Sequence, residues 1–161
     1  MDDKNELTKL QSLVSEKGKL IRSVSHDLQS LQSGANTLKA QITIVDSDDG
    51  TEYFLQLIRE TEYEDDIAAI SESDIKDLSK ALDALKKASQ VDVYLDADHV
   101  QNVFVTEDDF KIGYFVLDAS LTWFIEFDEY NDELEYFSDI SVLENLFEKA
   151  EEKIKELKSA K

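Results

Sequence analysis

Few residues in this sequence combine types and spacings that could do chemistry. Ser25, His26 and Asp27 run consecutively and hold the residue types of a hydrolytic triad. Triads assemble in space from separate elements, however, and no Gly-x-Ser-x-Gly elbow exists here to expose a nucleophile. His99 follows Asp98 and stands near Asp96, and imidazole with carboxylate suits zinc or manganese. A polar loop between a helix and a strand accounts for the same residues. Asp46, Asp48 and Asp49 precede Gly50 and offer the hard oxygen donors that calcium takes. An EF-hand needs its glycine sixth and a glutamate twelfth; counted from Asp46, Gly50 is fifth and Leu57 twelfth. These three aspartates are the only metal ligands worth naming, and a plain acidic turn is the simpler reading. The chain has no cysteine, no Walker loop and no Gly-x-Gly-x-x-Gly, which removes thiolate chemistry, disulfides and the usual nucleotide cradles. No cofactor and no enzymatic activity are expected.

The elements that must position these residues come from hydrophobic periodicity. Leu38, Ala40, Ile42 and Ile44 alternate with polar residues, as a half-buried strand requires. The turn 46–50 leads into a second strand on Tyr53, Leu55 and Leu57, and Ile67 to Ile70 forms a short third. A helix starts at Ser71, with Asp74 three residues on in a capping pattern, and buries Ile75, Leu78, Leu82 and Leu85. The pattern then repeats. Phe110, Ile112, Tyr114 and Val116 share one face, as do Leu121, Trp123, Ile125 and Phe127. Asn131-Asp132 reads as a turn and Leu134 to Phe137 as a strand. Ser141 and Glu144 then cap a helix with Leu143, Phe147, Ala150, Ile154 and Leu157 on one stripe.

The two runs align: TEYFLQL (51–57) with LTWFIEF (121–127), IAAIS (67–71) with LEYFS (134–138), and Leu82 with Phe147. A duplicated supersecondary unit explains this. The 161 residues therefore predict one α+β domain, 1–161, with a largely antiparallel sheet built from two strand-strand-strand-helix units, 37–88 and 101–158. Two helices cover one face. Gln101 to Thr106 adds a strand ahead of the second unit. Residues 1–36 read either as a hairpin around Gly18 or as a short helix carrying Ile21, Val24, Leu28 and Leu31, with fraying before Leu7.

At QNVFVTEDDFKIGYFV (101–116) the chain resembles a group of small uncharacterised bacterial proteins whose matching stretch reads NKFVTDDGF, then GYY and a WY strand. The similar residues are Asn102, Phe104, Val105, Thr106, Asp108, Phe110, Gly113, Tyr114 and Trp123. ISESDI (70–75) and KGKLI (17–21) also match that pattern, so the resemblance spans most of the chain. Asp109 stands where the group would have glycine. The resemblance implies a shared fold and brings no activity with it.

Charge then narrows the partners. The net charge is −20, and residues 1–45 hold six bases against five acids. Between Ala88 and Glu148 the one base is Lys111, against 16 acids. Such a field repels nucleic acid and anionic lipid and steers basic proteins inward. No direct nucleic-acid or membrane binding is expected; a basic protein is the expected partner, and homo-oligomerisation stays open. Phe54, Phe115 and Phe124 fall on the parity opposite the core, beside Glu126 and Asp128. Either another layer or the N-terminal segment covers these rings, or they form a partner surface with the two carboxylates. The function that fits is a non-enzymatic acidic accessory or protein-interaction domain. The alternative is an inhibitor or immunity-type factor that mimics nucleic acid, because carboxylates two apart on a strand recur every ~6.6–6.8 Å, near twice the ~3.4 Å phosphate spacing of a DNA strand. The opening residues do not read as a signal peptide, so a cytoplasmic location is expected, with export after leader removal left open.

Overall fold

The computed structural model of this chain describes residues 8–34, 36–128 and 133–160. The Asn131-Asp132 turn and the segment ahead of Leu7 lie outside the described residues. A six-residue helix, α1 (Lys9–Val14), precedes β1 (Arg22–Ser33), β2 (Asn36–Ser47), β3 (Gly50–Arg59), β4 (Asp66–Ser71) and α2 (Glu72–Asp92). The second half runs β5 (His99–Val105), β6 (Lys111–Leu117), β7 (Ser120–Glu126), β8 (Leu134–Phe137) and α3 (Ser141–Ser159). The strands form two antiparallel four-stranded meanders, β1-β2-β3-β4 and β5-β6-β7-β8. The fold is α+β with antiparallel pairing, as expected, but its strands fall into two sheets.

Each unit carries four strands and a helix. The extra strand expected at 101–106 is β5, and its counterpart in the first half is β1. Neither expectation for residues 15–33 holds: Leu13 and Val14 belong to α1, and residues 22–33 are strand. Gly18 does take the left-handed turn conformation, at φ 77°. A bulge explains why β1 looked helical. Leu28 pairs with Ala40 while Leu31 pairs with Leu38, so β1 advances three residues where β2 advances two. That extra residue makes the step from Leu28 to Leu31 three, and polar His26 at the inward position between Val24 and Leu28 makes the other step four, which together imitate a helical stripe.

The duplication survives in register. Ser47 pairs with Gly50 and Ile44 with Tyr53; seventy residues later, Leu117 pairs with Ser120 and Tyr114 with Trp123. Both hairpins thus have two-residue turns at equivalent places. In the second, Asp118 and Ala119 both have positive φ, the backbone that matches strand twist in a tight hairpin. The last strand is offset: Leu55 pairs with Ile70, whereas Trp123 pairs with Phe137. A shift of two residues preserves which face is buried.

The helices cross between the units. α2 packs on β3 and β4 of its own sheet and on β5 and β6 of the other, while α3 packs on β1 and β2. One continuous core results, from Leu38, Ile42, Leu55 and Ile70 through Leu78, Leu82 and Phe147 to Tyr114, Trp123 and Ile125. The helices run antiparallel, tied by Lys158–Glu72 at 2.6 Å, Ser79–Glu151 at 2.9 Å and Lys86–Glu144 at 3.3 Å. Tyr114 locks the end of α2 onto β6, donating its hydroxyl to Asp92 at 2.5 Å while packing edge-on to Trp123. Ser71 caps α2 as expected, accepting from the Asp74 amide. Ser141 does not cap α3: the helix starts after Ile140, which has no capping side chain, and the Asp139 carboxylate accepts from the Ser141 amide instead.

One polar cluster joins the two sheets from inside. Arg59 ends β3 at 4% exposure and Glu135 lies on the inward face of β8 at 2%. The guanidinium donates to Glu135, to Asp66 at 3.1 and 3.2 Å, and lies 4.8 Å over the Phe127 ring. Glu135 also accepts from Ser33 at 2.7 Å and Asn36 at 3.1 Å. Burial works against the charge on Arg59, and the hydrogen bonds to Glu135 and Asp66 outweigh it, so its pKa is raised.

Two outcomes follow from these geometries. Arg59→Ala or Glu135→Ala strands a buried charge and should cost about 3–5 kcal/mol in urea melts, while the double change Arg59→Met with Glu135→Leu should cost less than either single one. Asp109 holds a left-handed φ of 69°, where a side chain is strained, so Asp109→Gly should raise stability by up to about 1 kcal/mol in the same assay.

Candidate protein-binding face

Alternation along a strand decides most of the sequence candidates. His26 faces inward opposite Ile42, so Ser25 and Asp27 project from the other face and no triad forms. Ser25 instead shares a 2.8 Å hydrogen bond with Thr43. His99 opens β5, exposed, and stacks on Phe115 with ring centroids 6.3 Å apart. In the acidic turn, Asp49 pairs with Lys19 at 2.5 Å and Asp46 accepts from Thr51 at 2.5 Å. Among the described residues, no three His, Asp or Glu side chains converge in a way that could hold a metal ion.

The rings of opposite parity have different fates in the two halves. Phe54 has 0% exposure and packs with Val45 under Leu10, with Leu13, Ile21 and Ala69 closing the cluster. The N-terminal segment therefore covers this face, and Phe54 is not available to a partner. α1 is set by Thr8, which caps it with Gln11 in a reciprocal box, and by Lys9 paired with Glu52 at 3.1 Å. Asp108, from the loop between β5 and β6, accepts from the Lys9 amide at 3.3 Å. Beside this apolar seat the first sheet's outer face closes itself through hydrogen bonds among Ser25, Thr43, Gln56 and Gln41.

On the second sheet the same face carries three aromatic rings. Seventy residues on from Val45 and Phe54 stand Phe115 and Phe124, and Tyr136 pairs with Phe124 at the place that Ser71 takes opposite Phe54. Phe124 pairs across from Gly113, and that glycine is obligatory: a Cβ there would lie 2.2 Å from the Asn102 carbonyl oxygen. Phe115 lies 6.1 Å from Phe124 and 6.2 Å, edge-on, from Tyr136. Phe124 is 2% exposed, sheltered by its own neighbours, whereas Tyr136 keeps 46% of its surface. Val103, Val105 and Leu117 around them are exposed as well. No counterpart of α1 lies over this face among the described residues. The chain ahead of β5 is α2, and α2 is committed to the inward face.

Carboxylates rim both ends of the face. Glu107, Asp109 and Glu133 stand at the end where β6 begins, and Asp96, Asp98, Asp118 and Asp139 at the other. Glu126 is on the face and pairs with Lys111 at 3.3 Å; Asp128 follows β7, partly buried. Sequence parity located Phe115 and Phe124 but passed over Tyr136, the most exposed of the three rings. The signal was there, since Tyr136 pairs with Phe124 and shares its face. A valley of about 800 Å³ lies between α2 and α3, floored by Ile75, Leu82, Phe147 and Ile154. Of the six carboxylates that line it, Glu72, Glu144 and Glu151 are bonded across the helix pair.

The acid rim has a measurable consequence. Burial raises the Asp74 and Asp108 carboxyls above the ordinary 3.8, with neighbouring Asp and Glu charges adding to it. A carboxyl whose folded pKa is raised takes up a proton on folding, so its penalty at neutral pH is relieved as pH falls toward 3.8. Asp139 acts oppositely: the Ser141 amide holds its pKa down, and its contribution is lost only below 3.8. The melting temperature should therefore rise as pH falls from 7.5 toward 3.8, and added salt should raise it at pH 7.5 by screening. Asp108→Asn, which keeps an acceptor for Lys9, should raise it at pH 7.5 and flatten the pH slope. A calorimetric series over pH and salt checks all three.

Comparison with known proteins gives no relative to set beside this geometry: no family model, no curated protein and no solved structure matches the chain.

Proposed function

We propose that this chain is a non-catalytic protein-binding domain that works through the outer face of its second sheet and takes a basic partner. The observation that carries the reading is the aromatic set Phe115, Phe124 and Tyr136, in which Phe115 meets Phe124 at a tilt and Tyr136 edge-on, open at Tyr136 within a carboxylate rim. Exposed aromatic surface bordered by charge is the usual composition of a protein interface, with rings as anchors and the rim steering approach. The reading as a nucleic-acid mimic rests on a ladder of open carboxylates at Glu126 and Asp128. The Lys111 ammonium beside Glu126 offsets part of that ladder, so the aromatic face is the better supported.

A photoreactive phenylalanine analogue at position 136, with another at the exposed Tyr63 as control, tests the reading in native-host extract. The expected outcome is one basic protein, identified by mass spectrometry, crosslinked from 136 and not from 63, with a yield that falls as salt rises. Equal crosslinking from both positions, or none from 136, would remove the face from the function.

A further inference from the structure

The duplicated fold carries its own example of what this kind of face accepts. On the first sheet, Val45, Phe54 and Ala69 are covered by a short amphipathic helix that presents Leu10 and Leu13 and reaches the surrounding carboxylates through Lys9. Lys19, five residues after the helix has ended, extends the same pattern by pairing with Asp49. The second sheet presents Phe115 and Phe124 at the aligned positions and Tyr136 beside them, with carboxylates around and no helix above among the described residues. Its own chain has none to offer among the described residues, because the segment entering β5 is spent on the opposite face. From this, and resting on the protein-binding reading above, we infer that the partner docks as an amphipathic α-helix with lysine or arginine on its flanks, seated on Phe115 and Tyr136 above the buried Phe124 as α1 is seated above Val45 and Phe54.

Size and charge both favour that occupant. Phe115 and Tyr136 over the buried Phe124 give a broader apolar floor than Val45 and Phe54, so the helix would meet Val103 and Leu117 too, both exposed. Leucine-type anchors three and four residues apart match such a floor. A second copy of this chain is the wrong partner electrostatically, since each carries a net charge of −20 and the rims would face each other. An extended strand added to the β5 edge would draw its binding from main-chain hydrogen bonds and leave the rings unused.

The test uses three peptides of about 18 residues, long enough to hold helix when bound. One places leucine and lysine with helical period, one has the same composition with strict alternation, and one replaces lysine by glutamate in the helical pattern. Amide shifts of the intact labelled protein locate binding, and fluorescence anisotropy measures it. The helical lysine peptide should bind best and shift the amides around Phe115, Phe124 and Tyr136. Tyr136→Glu, at an exposed ring, should weaken it roughly tenfold or more, as loss of an aromatic anchor does, and Val103→Glu should weaken it less. Preference for the alternating peptide, with shifts along β5, would overturn the helix while leaving protein binding intact. Lysine peptides that shift only the α2–α3 valley, or that ignore Tyr136→Glu, would overturn the helix and the face together. A dimer in sedimentation that Tyr136→Glu dissolves would put a second copy on the face and overturn the basic helix.

Discussion

The buried pair of Arg59 and Glu135 is the constraint on which the rest of this architecture depends. Arg59 closes the third strand of one sheet and Glu135 sits in the last strand of the other, so their hydrogen bonds fix how the two sheets meet. A buried ion pair adds little net stability compared with an apolar pair of the same volume, but an unpartnered one is costly. Its physical role is therefore selective: another packing of the sheets would leave the guanidinium with Asp66 of its own sheet and bury Glu135 without its cation. Ser33 and Asn36 fill the remaining acceptor sites of Glu135, which draws the first hairpin into the same arrangement. Once that junction is set, Leu82 and Phe147 can share one core, and each helix can lie on the opposite unit's first hairpin.

The exchange of helices explains why two units make one domain. Four strands and a helix of this length, taken alone, leave an apolar sheet face only partly covered. Crossing gives α2 a seat on β5 and β6 and gives α3 a seat on β1 and β2. Each unit completes the other's core. The salt bridges across the helix pair, from Glu72–Lys158 at one end to Lys86–Glu144 at the other, keep that packing antiparallel. They engage one lysine of the last helix, Lys158, while Lys153 pairs with Glu156 within that helix.

Much of this was legible in the sequence because most strands have a clean period of two and the helices a clean apolar stripe. The alignment of Tyr53 with Trp123 marked equivalent positions in two hairpins before any coordinates. What escaped has local physical causes. The bulge between Leu28 and Leu31 disguised β1 as a helix and hid the fourth strand of the unit. Asp109 occupies a left-handed position normally left to glycine, so the turn there lacked its usual residue. The division of eight strands into two sheets was out of reach, because it turns on Arg59 meeting Glu135, 76 residues away. Sequence parity placed Phe54 and Phe124 together; among the described residues, Leu10, Leu13 and Ile21 cover the first and not the second.

That separation bears on how such a surface arises. The inward faces of both units are tied to one shared core, where Ile44 and Tyr114, like Tyr53 and Trp123, are large and apolar. The outward faces carry no such tie. On the first, α1 consumes the apolar seat and a ladder of serine, threonine and glutamine closes the remainder. On the second, the chain enters from α2 and can supply no cover, yet the residues there are phenylalanine and tyrosine rather than the polar ladder that solvent alone would favour. Gly113 is kept bare beneath Phe124 by the close approach of β5, which seats that ring in the sheet and leaves Tyr136 standing beside it. A face whose only requirement was solubility has no use for three adjoining rings, least of all on a chain with a surplus of carboxylates at hand. Their retention is accounted for if the rings have something to bind, and the acid rim around them then sets the sign of its charge.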